Sequence, residues 1–358
     1  MTVITESGTP SEGGERTRWS VGILGAGQIS TNLHLPTLLS LPDVSVAWIA
    51  DAHSERSSEQ ARAFSIEAIP LSALSARLPE VNIVLLAIPY GAREAYFDML
   101  RGRPEACVYV EKPFARTASE HRRLCQDFGD WRIACGLQRR AWGPIQLLKR
   151  IVQEEAFGPL EAVRVGHGSA GNVKGSAYSS NLELAGGGIL FEVGVHLLDA
   201  ALFITNSSSV TVERGRMELF EGFDIHTEAR LALGTASGRL VPMELIVSGL
   251  QDTIEGLEFE FDRFSVVFSL RDGKLLLRPH AKNQASYELS GSVSPFARTS
   301  FQTCAAFWTA FLHALSTRTP NFASASDSLV TTQALEALYA LGGSAPPLPG
   351  AGTRRISP

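Results

Sequence analysis

Between Gly186 and Asp199 the chain carries three side chains that can hold or move protons, Glu192, His196 and Asp199, in a run that is otherwise glycine or apolar. On a regular helix Glu192 and His196 lie one turn apart and Asp199 one turn further, so the spacing predicts a single polar stripe. Burying such groups without partners is costly, so the stripe faces either a satisfied ionic network or a wet functional crevice. In the first case Glu192 and Asp199 pair with arginines and His196 is a core histidine. In the second, Glu192 orients the His196 imidazole as a general base, and Gly186, Gly187 and Gly188 let a ligand approach the backbone. The carboxylate one turn from the imidazole favours the second.

The other chemistry-bearing cluster opens the chain. Gly25-x-Gly27-x-x-Ser30 follows an apolar run and precedes a helical pattern that begins with Gln28 and Ile29. A dinucleotide needs a side-chain-free turn, close backbone approach to its pyrophosphate and a helix N-terminus aimed at the phosphate charge. Asp51 ends the next apolar run, where an acid accepts hydrogen bonds from the adenosine ribose and repels a 2′-phosphate. NAD is therefore favoured, and the nearby Arg56 leaves NADP possible.

These residues need a scaffold. Apolar runs at Trp19–Leu24, Val44–Ala50, 81–88 and Cys107–Val110, alternating with helical patterns, predict a doubly wound parallel sheet of Rossmann type. In such a sheet the ligand lies beyond the strand carboxyl ends, so Gly25, Asp51, Pro89 and Lys112 share one crevice. From about Leu160 to Leu289 apolar and polar residues alternate, as in Leu257-Glu258-Phe259-Glu260-Phe261, which predicts a C-terminal α+β domain with a large, mostly antiparallel open sheet. Two domains suit 358 residues. The divisions expected are a tail at 1–18, a dinucleotide-binding domain at 19–137, a substrate-binding and oligomerisation domain at 138–345 and a tail at 346–358. One face of the open sheet is available for a homodimer or homotetramer.

A formal net charge of −5 gives no basic surface for a nucleic-acid backbone. The four cysteines form no C-x-x-C pair and no His–carboxylate set has metal spacing, so neither a disulfide framework nor a metal site is expected. The first residues lack a signal-like apolar core, and no apolar run looks long enough to cross a membrane. A cytoplasmic protein is expected.

Taken together, Gly25-x-Gly27, Asp51, Glu111-Lys112-Pro113, Gln138-Arg139-Arg140 with Pro144, and the Gly187-Gly188 to His196 and Asp199 run resemble the glucose-fructose oxidoreductase, inositol dehydrogenase and rhizopine-catabolism family. The resemblance spans roughly residues 20–340. It implies a sugar-like small-molecule substrate and NAD(P)-dependent hydride transfer to or from a secondary alcohol or ketone, with Lys112 and His196 at the chemistry. Glu192 stands where the family more often has Asp, and Arg93 where it commonly has His beside the cofactor. Arg93 and Glu111 join the cofactor contacts, and Arg139, Trp142, Tyr178 and Asp199 join the substrate contacts with Lys112, Glu192 and His196. Two alternatives remain: a non-catalytic dinucleotide- or sugar-binding regulator, and an NAD-dependent elimination or glycoside-cleaving enzyme.

Overall fold

The structure, a computed structural model, describes residues 19–171, 181–281, 284–289 and 299–342. Strands β1 (Trp19–Leu24), β2 (Val44–Ala50), β3 (Glu67–Ala68), β4 (Ile83–Leu86), β5 (Cys107–Val110) and β6 (Ile133–Cys135) form one parallel sheet in the order β3-β2-β1-β4-β5-β6. Helices α1 (Leu35–Ser40), α2 (Ser54–Phe64), α3 (Leu74–Arg77), α4 (Glu94–Arg101) and α5 (Ala118–Phe128) supply the crossovers. The apolar character of β4 and β5, buried at every position, is what a parallel sheet covered on both faces requires.

Helix α6 (Gly143–Gln153) leads into the second sheet, made of β7 (Leu160–Gly168), β8 (Ser207–Phe220), β9 (Phe223–Thr235), β10 (Leu240–Ser248), β11 (Gly256–Phe261), β12 (Phe264–Ser269), β13 (Leu275–Pro279) and β14 (Tyr287–Glu288). Its order is β14-β13-β12-β11-β7-β10-β9-β8, antiparallel except for the parallel pair β7 and β10. Helices α7 (Leu182–Ala185), α8 (Val195–Ile204), α9 (Ser300–Thr317) and α10 (Leu329–Tyr339) complete the chain. Helix α8 packs on β7, α6 and α10, and α10 covers β8.

Helix α9 returns to the first sheet, where Cys304, Phe307, Trp308 and Phe311 pack with Val21, Ile23, Leu85 and Tyr109. The other core runs through both sheets, from Trp48 and Val108 to Leu198, Leu245 and Phe259. Packing therefore does not divide where the composition of the sequence changes.

One expectation is corrected. The stretch Leu182–Ile204 is long and apolar enough to cross a membrane, with a mean hydropathy of 1.7, but 83% of its most apolar window is buried inside the molecule. Glycines punctuate the stretch and hide it from a count of consecutive apolar residues, and its apolar side chains serve the core beneath the second sheet.

Candidate active site

Beyond the carboxyl ends of β1 and β4 lies a cavity of about 770 Å3. Its wall runs from Ala26, Gly27, Gln28 and Ile29 past Pro89 and Arg93 to Glu111, Lys112 and Glu192. Gly25 has φ +107°, and a Cβ there would meet the Ala87 carbonyl oxygen at 2.2 Å, so only glycine makes this turn. At Gly27 a Cβ would meet nothing within 4 Å, which leaves the backbone open to a pyrophosphate. Asp51 braces the turn: its Oδ2 accepts the Ala26 N–H at 2.7 Å and its Oδ1 accepts the His53 N–H at 2.7 Å.

The Glu111-Lys112-Pro113 turn follows β5 with a cis Lys112–Pro113 bond. Lys112 Nζ donates to the Glu192 carbonyl oxygen at 2.8 Å. Burial lowers the Lys112 pKa, and the carboxylates of Glu111 and Glu192 oppose that shift. Glu111 is anchored from three sides, by His34 Nε2 at 2.8 Å, Gln138 Nε2 at 3.3 Å and the Lys112 N–H at 3.2 Å. Burial by itself lowers the His34 pKa, but Cys304 and Glu111 raise it to about 9. Against that, the Trp308 indole N–H, which can only donate, reaches His34 Nδ1 at 3.0 Å. The indole makes Nδ1 an acceptor, so the ring keeps its single proton on Nε2, toward Glu111.

Arg93 lines the cavity, yet its guanidinium is spent on the turn itself. It donates to the carbonyls of Ile88 at 3.2 Å and of Pro113 and Lys112. Burial lowers its pKa. Its work is to hold the backbone on either side of the cis bond.

The polar stripe does not survive as one stripe. A π-helical turn, Leu190–Gly194, precedes α8 and rotates Glu192 out of register with the residues that follow. Glu192 faces the cavity. His196 lies close enough to Arg139 and Lys112 that, after burial, their charges push its pKa further down, well below 6.5, and its Nδ1 is buried without a partner among the described residues. Its imidazole is therefore neutral near pH 7. Asp199 is no substrate contact: it is 1% exposed, takes Arg140 in two bonds, Nε to Oδ2 at 2.9 Å and Nη2 to Oδ1 at 2.6 Å, and accepts the Thr331 hydroxyl at 2.8 Å. Trp142, whose ring packs edge-on against Phe268 with centroids 5.1 Å apart, stands off the cavity wall, as do Arg139 and His196. Tyr178 lies outside the described residues.

Gly187 and Gly188 are on the wall, but the protein rather than a ligand demands glycine there. A Cβ on Gly188 would meet the Asp224 carbonyl oxygen at 2.1 Å, and one on Gly187 the Tyr339 hydroxyl at 2.2 Å. Asp224 is the residue that sequence reasoning missed. From β9 its carboxylate accepts the N–H of Gly188 and of Leu190 at 2.6 Å, together with the Tyr339 hydroxyl, and so caps the π turn that carries Glu192. Burial raises its pKa to about 6 against those hydrogen bonds. The alternation of β9 gives no sign of this contact, which joins three distant segments of the second domain.

The comparisons agree with the geometry. Residues 19–129 match the oxidoreductase family, NAD-binding Rossmann fold, and residues 145–261 match the GFO/IDH/MocA C-terminal domain. The chain belongs to the GFO/IDH/MocA oxidoreductase family, and its first sheet is an NAD-binding Rossmann fold. Among curated relatives, D-glucoside 3-dehydrogenase of Escherichia coli (strain K12) is 25% identical over 197 residues, 53% of this chain and 55% of that one. The chain thus spans about half the length of the curated relatives it matches. An oxidoreductase from Agrobacterium radiobacter, solved with NAD+, L-tartaric acid and magnesium, has a TM-score of 0.73 at 18% identity, covering 91% of this chain and 97% of that one. Aldose-aldose oxidoreductase from Caulobacter crescentus, solved with glycerol, has a TM-score of 0.76 at 17% identity, covering 91% and 98%. At these identities the two structures establish the shared fold.

Proposed function

We propose that the protein is an NAD-dependent oxidoreductase acting on a secondary alcohol or ketone of a sugar, cyclitol or nucleotide-linked sugar. The observation that carries this reading is the meeting of Lys112 and Glu192 on the wall of a cavity that starts at the Gly25–Gly27 turn, with a neutral His196 behind them in reach of the Lys112 charge. The open space over Gly27 fits a dinucleotide, held by Ala26 to Ile29, Asp51 and Pro89. When bound, the nicotinamide supplies the hydride acceptor or donor. His196, kept neutral, takes the hydroxyl proton in oxidation and returns it in reduction. Lys112 has one hydrogen bond committed to the Glu192 carbonyl, and the other hydrogens of its ammonium steady negative charge on the reacting oxygen. Asp51 favours NAD, although Arg56 on the cavity wall leaves room for a 2′-phosphate partner.

The test is a screen of aldoses, cyclitols and nucleotide sugars with NAD and NADP, followed by absorbance of the reduced nicotinamide. Lys112→Ala and His196→Ala are each expected to lower kcat/KM by about 10²–10⁴-fold. Near-parental turnover in both variants would sink the assignment.

A homo-oligomer is proposed through the outer face of the second sheet. There Arg164 reaches Glu260 at 2.5 Å, Glu258 at 3.2 Å and Glu244 at 3.7 Å, an ion-paired strand face that a second copy would cover. A monomeric mass at micromolar concentration would refute it.

A further inference from the structure

Glu111 is the carboxylate next to Lys112 in the chain, and both residues lie on the cavity wall. A carboxylate and an ammonium that share a poorly hydrated wall ordinarily pair, because each otherwise bears its desolvation cost alone. These two do not. Among the described residues, Glu111 Oε1 accepts from His34 Nε2 at 2.8 Å and from Gln138 Nε2 at 3.3 Å, and Oε2 accepts the Lys112 backbone N–H at 3.2 Å. The Lys112 ammonium turns instead to the Glu192 carbonyl oxygen at 2.8 Å.

The restraint on Glu111 is assembled from distant segments. His34 closes a π turn, Ser30–His34, in front of α1 and is fully buried behind the wall. The Trp308 N–H from α9 keeps its Nδ1 an acceptor, which leaves the Nε2 proton for Glu111. Tyr109 packs edge-on against the imidazole with centroids 5.3 Å apart, and Cys304 Sγ lies 3.8 Å from Nδ1. Gly136 makes room on the far side, where a Cβ would meet Glu111 Oε1 at 2.7 Å. Burial raises the Glu111 pKa, but the bond from His34 and the charges of Lys112 and Arg93 carry it below the ordinary carboxylate value, so the group is ionised. What a histidine adds to this aromatic cluster, and leucine or phenylalanine would not, is one directed N–H.

We propose that His34 is a positioning residue of the active site: seated by Trp308, it holds the Glu111 carboxylate off Lys112 Nζ, so that the ammonium stays available to the reacting oxygen. This inference rests on the oxidoreductase reading of Lys112 and extends it to two residues that do not line the cavity. Besides burial, the charges acting on Lys112 are those of Glu111 and Glu192, which favour its ammonium, and of Arg139 and Arg93, which oppose it. Held at a distance, Glu111 supports the positive charge. In a closed ion pair it would also take the hydrogens that a developing oxyanion needs.

The experiment uses the full chain with ¹³C-labelled lysine. There are five lysines, so Lys112→Arg identifies the Lys112 Cε signal, and its shift against pH gives the ammonium's titration midpoint. His34→Phe keeps a ring and loses the N–H. The freed carboxylate then pairs with the ammonium, and the midpoint is expected to rise by about one pH unit. NADH affinity, read by fluorescence, stays near parental. His34→Gln, whose amide can donate to Glu111, restores the parental midpoint. In the double variant His34→Phe, Glu111→Gln the rise disappears, because no carboxylate is left to pair. A midpoint unmoved or lowered in a folded His34→Phe would overturn the proposal, and so would a rise that persists in the double variant. Should His34→Phe not fold by circular dichroism, the parent decides: ¹⁵N shifts of labelled histidine must show His34 Nε2 protonated, and a bare Nε2 overturns the proposal. The sugar screen separates this inference from the reading beneath it. A midpoint that rises in a chain that reduces no nicotinamide sinks the oxidoreductase reading and keeps the restraint. Turnover with an unmoved midpoint does the reverse.

Discussion

At His196, burial, Arg139 and Lys112 all act against the imidazolium. A base loses its function when it is protonated, so the acid limb of kcat/KM is expected below pH 6.5, the ordinary histidine value. Removing one of the opposing charges through Arg139→Gln should move that limb upward, and a limb unmoved in a pH series would show that the two groups do not communicate. A second histidine makes a different prediction. His121 is buried, receives the Thr332 hydroxyl at 2.8 Å on Nδ1 and donates from Nε2 to the Ala325 carbonyl at 2.8 Å. Burial lowers its pKa from 6.5 to about 4. A depressed folded-state pKa contributes stability that is present above the unfolded value and lost as pH falls through the window between the two. Stability should therefore decline from pH 6.5 toward 4. The loss is on the order of 3 kcal/mol, visible as a falling melting temperature that His121→Gln flattens.

At the scale of elements, the decisive piece is the π turn in front of α8. Its cap comes from β9, so the second sheet determines how Glu192 presents its carbonyl to Lys112. Asp224→Ala orphans two buried N–H groups and is expected to cost about 1–3 kcal/mol. It should also lower kcat more than an equally destabilising change elsewhere in the core. Gly188→Ala drives a methyl group into the Asp224 backbone, with a similar expected loss of about 1–3 kcal/mol by thermal or urea unfolding. The three consecutive glycines are conspicuous in the sequence. What they make room for is an aspartate and two tyrosines from distant segments, Asp224, Tyr90 and Tyr339.

For the whole molecule, one core extends through both sheets and α9 closes the back of the first. Unfolding is therefore expected as one transition, seen alike by circular dichroism and tryptophan fluorescence; two separated transitions would contradict this packing. Trp308→Ala removes a fully buried indole between Tyr109 and His34 and should cost about 3–5 kcal/mol. The parallel sheet, the Gly25–Gly27 turn and the placing of Asp51, Pro89 and Lys112 at strand ends are legible from residue types alone, because buried strands and tight turns write their requirements locally. The sequence also singled out Glu192, His196 and Asp199, but a regular helical period could only put them on one face. Tertiary structure separated them: a π turn shifts Glu192, and Arg140, far away in the chain, claims Asp199. The same long-range pairing left Arg139 without a carboxylate, because which of two adjacent arginines meets its counter-charge depends on packing between elements and leaves no mark in local spacing.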